Sequence, residues 1–252
     1  MTAGSSGVDL VTRDSDLEVA RRAIATAERV VFFTGAGMSA ESGIPTFRGP
    51  DGLWRGHRPE ELATPEAFRA DPERVTTWYR WRRSVIAAAP LHPGHRAVAE
   101  HCLSHPSAVV VTQNVDGLHQ RAGCPTVEEL HGSIWEDRCA RCGDVAPLDP
   151  ADPVPAESDP LPRCPCGGLR RPGVVWFGES LPAATVDRAV EALSGADLVL
   201  IVGTSAVVQP AASLVRRAPR TAVRITVDPS PPSGEGTHLL GAAGAILPRI
   251  LA

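Results

Sequence analysis

No apolar run in the 252 residues approaches the roughly 20 needed to cross a bilayer. The first eight residues are small and polar, without the basic-then-apolar pattern of a secretory leader. A cytoplasmic location without a membrane partner is the expectation. Nor is there an excess of positive charge. The formal net charge is −4, which gives no electrostatic reason to expect a nucleic-acid partner. Aromatics are scarce, at 4% of residues with a single tyrosine. Four of the five tryptophans (54, 78, 81, 135) and that tyrosine fall between residues 54 and 135, which points to a shaped surface there. Six cysteines in a chain of this location and size argue for a metal site or free thiols over disulfides.

The chain is long enough for one large domain, or for a domain with a smaller insert. Its organising stretch is Thr34-Gly-Ala-Gly-Met-Ser-Ala-Glu-Ser-Gly-Ile-Pro-Thr-Phe-Arg-Gly49. The apolar run 30–33 leads into it and reads as a buried parallel strand. Gly35 and Gly37 allow a sharp turn and a close approach of backbone to a ligand. A strand followed at once by small residues is how dinucleotide folds seat a pyrophosphate. The spacing is Gly-x-Gly-x-Ser, short of a full dinucleotide fingerprint, so a plain strand-to-helix turn fits it equally well. Residues 42–49 are too broken by Gly and Pro for a regular helix and read as a shaped loop.

Further along, helices are expected over 15–28, from Pro65 with Thr64 as its cap, over 72–88, 96–103 and 182–193, and from Gln209. Strands are expected over 108–112, 126–130, 196–202 and 221–227, with strand character over 171–179. A short strand at 245–247 and a helical stub close the chain. Alternating strands and helices on both sides of an insert predict an α/β, doubly wound parallel sheet.

Ligands bind beyond the carboxyl ends of strands in such sheets. Gln113, Asn114 and Asp116 follow 108–112 there, and Gly203, Thr204 and Ser205 follow 196–202. His131 stands at the end of 126–130, beside Gly132, where a residue of ordinary pKa about 6.5 can serve as general base. The four histidines at 92, 95, 101 and 105 complete no metal pattern and read as surface or packing residues.

Tyr79 and Arg82 share a face of the 72–88 helix. A phenol beside a guanidinium can hold a carboxylate. Spacing alone favours the plainer reading, an amphipathic helix with its arginines in solvent and Tyr79 packed. Cys139-x-x-Cys142-Gly and Cys164-x-Cys166-Gly, 21 residues apart, offer four thiolates for one tetrahedral structural zinc. The second pair is one residue shorter than the usual C-x-x-C. The segment 144–163 between the pairs has little to pack, so the metal should be its main tether. Cys102 and Cys124 lie outside the motif and read as buried small residues.

From about residue 15 to the end, these motifs resemble the sirtuins, NAD-dependent protein-lysine deacylases. The match is carried by Gly-Ala-Gly-x-Ser-x-Glu-Ser-Gly-Ile-Pro-x-Phe-Arg-Gly, Gln-Asn-Val-Asp, His-Gly and the cysteine pairs. The resemblance implies a Rossmann-like NAD-binding domain (14–44, 91–132 and 174–252). It also implies a small domain of a helical module (45–90) and a zinc ribbon (133–173), after a flexible N-terminus (1–13). NAD as co-substrate would be held by Gly35, Ala36, Gly37, Ser39, Ala40, Thr46, Phe47, Arg48, Trp54, Gln113, Gly203, Thr204, Ser205, Thr226 and Ala243. Many sirtuins place Asn near Thr226; here Thr226 or Asp228 stands in. His131, Asn114 and Asp116 would be catalytic.

Val175, Phe177, Gly178, Glu179 and Val207 would line the acyl-lysine peptide, pairing with it main chain to main chain. Thr-Pro-Glu-Ala-Phe followed by Trp-Tyr-x-x-Arg-Arg resembles the branch accepting acidic acyl groups. There Tyr79 and Arg82 would bind the acyl carboxylate, and Ala67 would widen the pocket, favouring succinyl or malonyl over acetyl. The implied products are free lysine, nicotinamide and O-acyl-ADP-ribose, from a monomer acting on acyl-lysine peptides or proteins. Transfer of ADP-ribose to protein, and a non-catalytic NAD sensor, are the competing readings.

Overall fold

The computed structural model describes residues 12–46, 58–156, 158–204, 209–230 and 236–252. In chain order the elements begin with α1 (Asp14–Thr26) and β1 (Val30–Thr34), then a 3-10 helix over Ala36–Ser42. Next come α2 (Pro65–Ala70), α3 (Pro72–Ala88), α4 (Pro93–Ser104), β2 (Val109–Thr112), α5 (Leu118–Ala122) and β3 (Val127–Glu129). There follow β4 (Gly132–Cys139), β5 (Val145–Pro147), β6 (Arg170–Val174), α6 (Ala183–Ser194) and β7 (Leu198–Val202). After a short 3-10 turn at Pro59–Glu61 earlier in the chain, a third 3-10 helix (Ala211–Arg217), β8 (Val223–Asp228), β9 (Thr237–Leu240) and α7 (Ala243–Leu251) complete the described chain.

Six strands form one parallel sheet in the order β3-β2-β1-β7-β8-β9. The central β1 is buried throughout because both faces of the sheet are covered. Its residues alternate between two cores. Val30 and Phe32 pack under α1, α4 and α7 with Leu198, Leu200 and Ile225. Val31 and Phe33 face the other way, toward Ala189 and Leu193 of α6 and Leu214. This is the doubly wound α/β arrangement expected from the strand–helix alternation.

A third core belongs to the small module. Phe68, Val75, Trp78 and Tyr79 from α2 and α3 pack with Ile134, Trp135, Val174 and Trp176. Its second sheet is antiparallel, in the order β5-β4-β6. Thr64 and Asp71 cap α2 and α3, accepting from the amides of Ala67 (3.1 Å) and Arg74 (3.0 Å).

Several expectations are corrected. Residues 245–247 are not a strand. The strand lies earlier, at Thr237–Leu240, where it completes the sheet edge on β8. Ala243, Ile246, Leu247 and Ile250 recur at helical spacing and bury one face of α7. Three of the four arginines of α3 are not in solvent: Arg80, Arg82 and Arg83 are buried, and Arg74 is exposed. Arg80 donates to the carbonyls of Ala156, Asp159 and Pro160, and Arg83 pairs with Asp137 at 2.7 Å. The segment 144–163 therefore has tethers other than a metal, namely Arg80 and the pairing of β5 with β4. The helix expected from Gln209 is the 3-10 helix Ala211–Arg217. His92, His95 and His101 are packing residues, and Cys102 and Cys124 are buried.

Candidate active site

The site forms where β1, β2 and β7 end. Gly35 N donates to Val202 O at 3.0 Å and Gly37 N donates to Gly203 O at 2.8 Å, so the loops after β1 and β7 are laced together. The glycines serve this contact. A Cβ on Gly37 would sit 2.7 Å from Gly203 Cα, and Gly203, at φ +57°, would put its own 2.3 Å from Met38 N. The close approach read from the sequence as backbone to ligand is first of all backbone to backbone.

Around this junction the polar side chains are largely buried and cross-linked. Ser39 Oγ donates to Asp116 Oδ2 at 2.8 Å. Asn114 Nδ2 lies 3.0 Å from Gly35 O and 3.1 Å from Ser39 Oγ. Asp116 accepts from Leu118 N, and its carbonyl accepts from Trp135 Nε1 at 2.8 Å. Gln113 Nε2 donates to Thr204 Oγ1 at 2.9 Å, bridging the ends of β2 and β7. Below them Thr34 Oγ1 donates to Thr112 Oγ1 at 2.8 Å, and His119 Nε2 lies 3.1 Å from Thr34 Oγ1. Donors and acceptors converging at the carboxyl edge of a parallel sheet suit the ribose, amide and phosphate groups of a dinucleotide.

His131 is half-buried, with Nδ1 2.9 Å from the Gln113 carbonyl. A carbonyl only accepts, so Nδ1 carries the proton and Nε2 keeps its lone pair. Burial lowers the pKa of the ring, and the bond to Gln113 opposes that in part. The result is a neutral imidazole held in one tautomer, the state a general base needs.

Of the remaining predicted cofactor residues, Ala36, Ala40 and Thr46 lie on or just after the 3-10 helix. Ala243 is buried at the start of α7, which Glu41 of the same loop holds through Gly244 N at 2.5 Å. Thr226 pairs in register with Ile201, inside the sheet, whereas Asp228 ends β8 just past Val227, whose carbonyl accepts from Gly203 N. Asp228 stands at the carboxyl end of β8, where its carboxylate accepts from Ser230 N at 2.8 Å. Phe47, Arg48, Trp54, Ser205 and Val207 lie outside the described residues.

The described substrate residues come from α2, α3 and the segment after β6. Ala67 and Tyr79 are buried in the small-module core, with Arg82 beside Tyr79 at 8% exposure. Strand β6 stops at Val174, short of the strand character expected to 179, and the segment after it is held where Val175 N donates to His131 O and Phe177 N to Ala63 O. Phe177 and Gly178 are exposed. The Glu179 carboxylate turns inward, accepting from Trp176 N and Arg171 Nη2, each at 2.9 Å. Arg171 supports this site without any spacing signature to flag it in the sequence, whereas Trp176 stands inside the segment expected to meet the peptide.

The four cysteines converge as expected. Their sulfurs lie within 4.8 Å of one another. Arg141 N and Cys142 N point at Cys139 Sγ, at 3.4 and 3.5 Å. Four thiol sulfurs this close, with backbone N–H groups turned on one of them, fit a structural zinc, and the shortened second pair closes the set. Four ligands leave no open position, so the ion would hold the ribbon and take no part in the chemistry.

A parallel Rossmann-like sheet with a polar cleft at its carboxyl edge, a helical module and a cysteine ribbon defines a two-module, dinucleotide-dependent enzyme. The chain belongs to the Sir2 family, whose model matches residues 35–210. It is 53% identical over 234 residues to NAD-dependent protein deacylase 2 of Pyrobaculum aerophilum, covering 90% of this chain and 92% of that one. It is 46% identical over 235 residues to NAD-dependent protein deacylase 1 of Archaeoglobus fulgidus, covering 91% and 94%. The solved Sir2 homologue–NAD complex superposes with TM-score 0.83 at 44% identity, over 93% of this chain and 92% of that one. No helix among the described residues is long and apolar enough to cross a membrane.

Proposed function

We propose that this enzyme, a Sir2-family NAD-dependent protein deacylase, takes acyl-lysine peptides or proteins and prefers acidic acyl groups, succinyl or malonyl, to acetyl. The observation that carries the preference is Arg82. A guanidinium at 8% exposure stands beside the buried Tyr79 hydroxyl, and a phenol beside a guanidinium can hold a carboxylate. Burial lowers the pKa of Arg82 from its ordinary value, but a guanidinium starts so far above neutrality that it stays charged. The buried Ala67 belongs to the same core and leaves the wall its least bulky side chain with a Cβ.

NAD, when bound, supplies the ribose that takes over the acyl group and is consumed. His131, through Nε2, accepts the proton of a ribose hydroxyl. Asn114 and Asp116, cross-linked through Ser39, orient the nicotinamide end, and Gly203, Thr204 and Asp228 take the adenosine side. The large domain comprises 14–44, 91–132 and 174–252, with the helical module at 45–90 and the ribbon at 133–173. Every basic side chain of the enzyme other than histidine is arginine, so it carries no lysine side chain to serve as its own substrate.

The test is a kcat/KM comparison on acetyl-, malonyl- and succinyl-lysine versions of one peptide, reading nicotinamide release. Succinyl or malonyl should exceed acetyl at least about tenfold, the worth of one charge-assisted hydrogen bond. Equal values reject the acyl preference. Nicotinamide release that survives His131→Ala rejects the assignment of the base.

A further inference from the structure

Tyr79 is buried, and its hydroxyl sits 2.9 Å from the indole Nε1 of Trp176. An indole N–H only donates, so the polarity of this bond is fixed by the chemistry of the groups: Trp176 gives and Tyr79 accepts. The phenol has one proton of its own, and among the described residues Tyr79 makes no bond in which it donates. A buried donor without an acceptor is costly, and the oxygen of a bound ligand would relieve it. The neighbouring Arg82 cannot be that acceptor, because a guanidinium only donates. A phenolic donor beside a guanidinium is complementary to a carboxylate.

Trp176 is itself over-determined. Its amide donates to Glu179 Oε2 at 2.9 Å, and the same oxygen takes Arg171 Nη2 at 2.9 Å. The Arg171 guanidinium lies 3.8 Å from the centroid of the indole, and Phe68 packs at 5.5 Å. The ring cannot swing away from Tyr79 without breaking these contacts.

We propose that Trp176 is a specificity-positioning residue. Its N–H occupies the acceptor side of the Tyr79 hydroxyl and so directs the phenolic proton, together with Arg82, at the carboxylate of an acidic acyl group. Burial raises the pKa of Tyr79, which keeps that proton in place at neutral pH. An acetyl group offers no oxygen to this pair, so the arrangement acts on substrate choice and leaves the chemical step alone. The inference rests on the acidic-acyl reading of the same pocket.

The experiment uses the full chain and matched succinyl- and acetyl-lysine peptides. Trp176→Phe keeps a ring for Arg171 and removes the N–H. It should raise KM for the succinyl peptide about tenfold, with kcat for both peptides and KM for the acetyl peptide within about twofold. Tyr79→Phe should raise KM for the succinyl peptide by a similar factor, and the double variant should lose no more than the larger single loss, because both changes remove one coupled interaction. Benzothienylalanine at position 176, with sulfur in place of N–H, tests the same atom if Trp176→Phe folds poorly. A wild type without succinyl preference overturns the pocket assignment and this inference together. A wild type that prefers succinyl, with variants that keep that preference, or losses equal on both peptides, overturns the role of Trp176 alone.

Discussion

Arg82→Met isolates the charge from the packing. Methionine fills much of the same volume, and its flexible thioether adapts to the Trp78 ring over which Arg82 lies at 5.6 Å. What goes is the cation and its donors. A hydrogen bond to a charged group is worth about 1.5–3 kcal/mol net. At 8% exposure Arg82 is shielded from water, which places the effect in the upper part of that range. The expected rise in KM for a succinyl-lysine peptide is therefore about 40- to 150-fold. Acetyl-lysine has no carboxylate, so its kcat/KM should stay within about threefold. Steady-state kinetics on both peptides at saturating NAD, read as nicotinamide release, separates the two. Equal loss on both peptides would mean that Arg82 holds the fold of the cleft, and the reasoning from buried charge to acyl choice would be wrong.

Four further outcomes follow from the same geometry. Because burial lowers the pKa of His131, the acid limb of kcat/KM should lie below the ordinary histidine value of about 6.5; a midpoint above it would contradict a desolvated base. Gly203→Ala, with its Cβ 2.3 Å from Met38 N at φ +57°, should cost about 1–3 kcal/mol of strain and raise KM for NAD, while a variant with unchanged NAD kinetics would show that the loop junction tolerates displacement. Asp137→Ala leaves Arg83 buried without its carboxylate and should destabilise by about 3 kcal/mol, lowering the melting temperature by about 6–12 °C in calorimetry. The purified enzyme should hold one zinc per chain by elemental analysis, lost in Cys166→Ser, and retention in that variant would exclude Cys166 as a ligand.

Much of this enzyme is legible along the chain. The strands β1, β2, β7 and β8 announce themselves as apolar runs, and the residues after them mark the carboxyl edge without any coordinates. The cysteine pairs specify their own meeting because thiolate spacing is a local code. The caps Thr64 and Asp71 are equally local. The strands of the ribbon and β9 were harder, since short, half-exposed strands carry no apolar run. The closing helix α7 was misread as a strand because a few apolar residues in a row fit either period, and only the packing face decides.

Tertiary structure alone decided the rest. The sequence placed Gly35 and Gly37 in a tight turn, but only the fold shows that the room they leave is taken by Gly203 and Thr204, 166 or more residues downstream. Arg80, Arg82 and Arg83 sit within four positions of one another and look alike in sequence. Their environments separate them: one holds ribbon carbonyls, one stands by Tyr79, and one pairs with Asp137. The bond from Trp176 to Tyr79 spans 97 positions. Backbone turns and metal knuckles are written within a few residues, because they obey local sterics and ligand geometry. The burial of a charge and the direction of a single proton depend on what the folded chain brings against them.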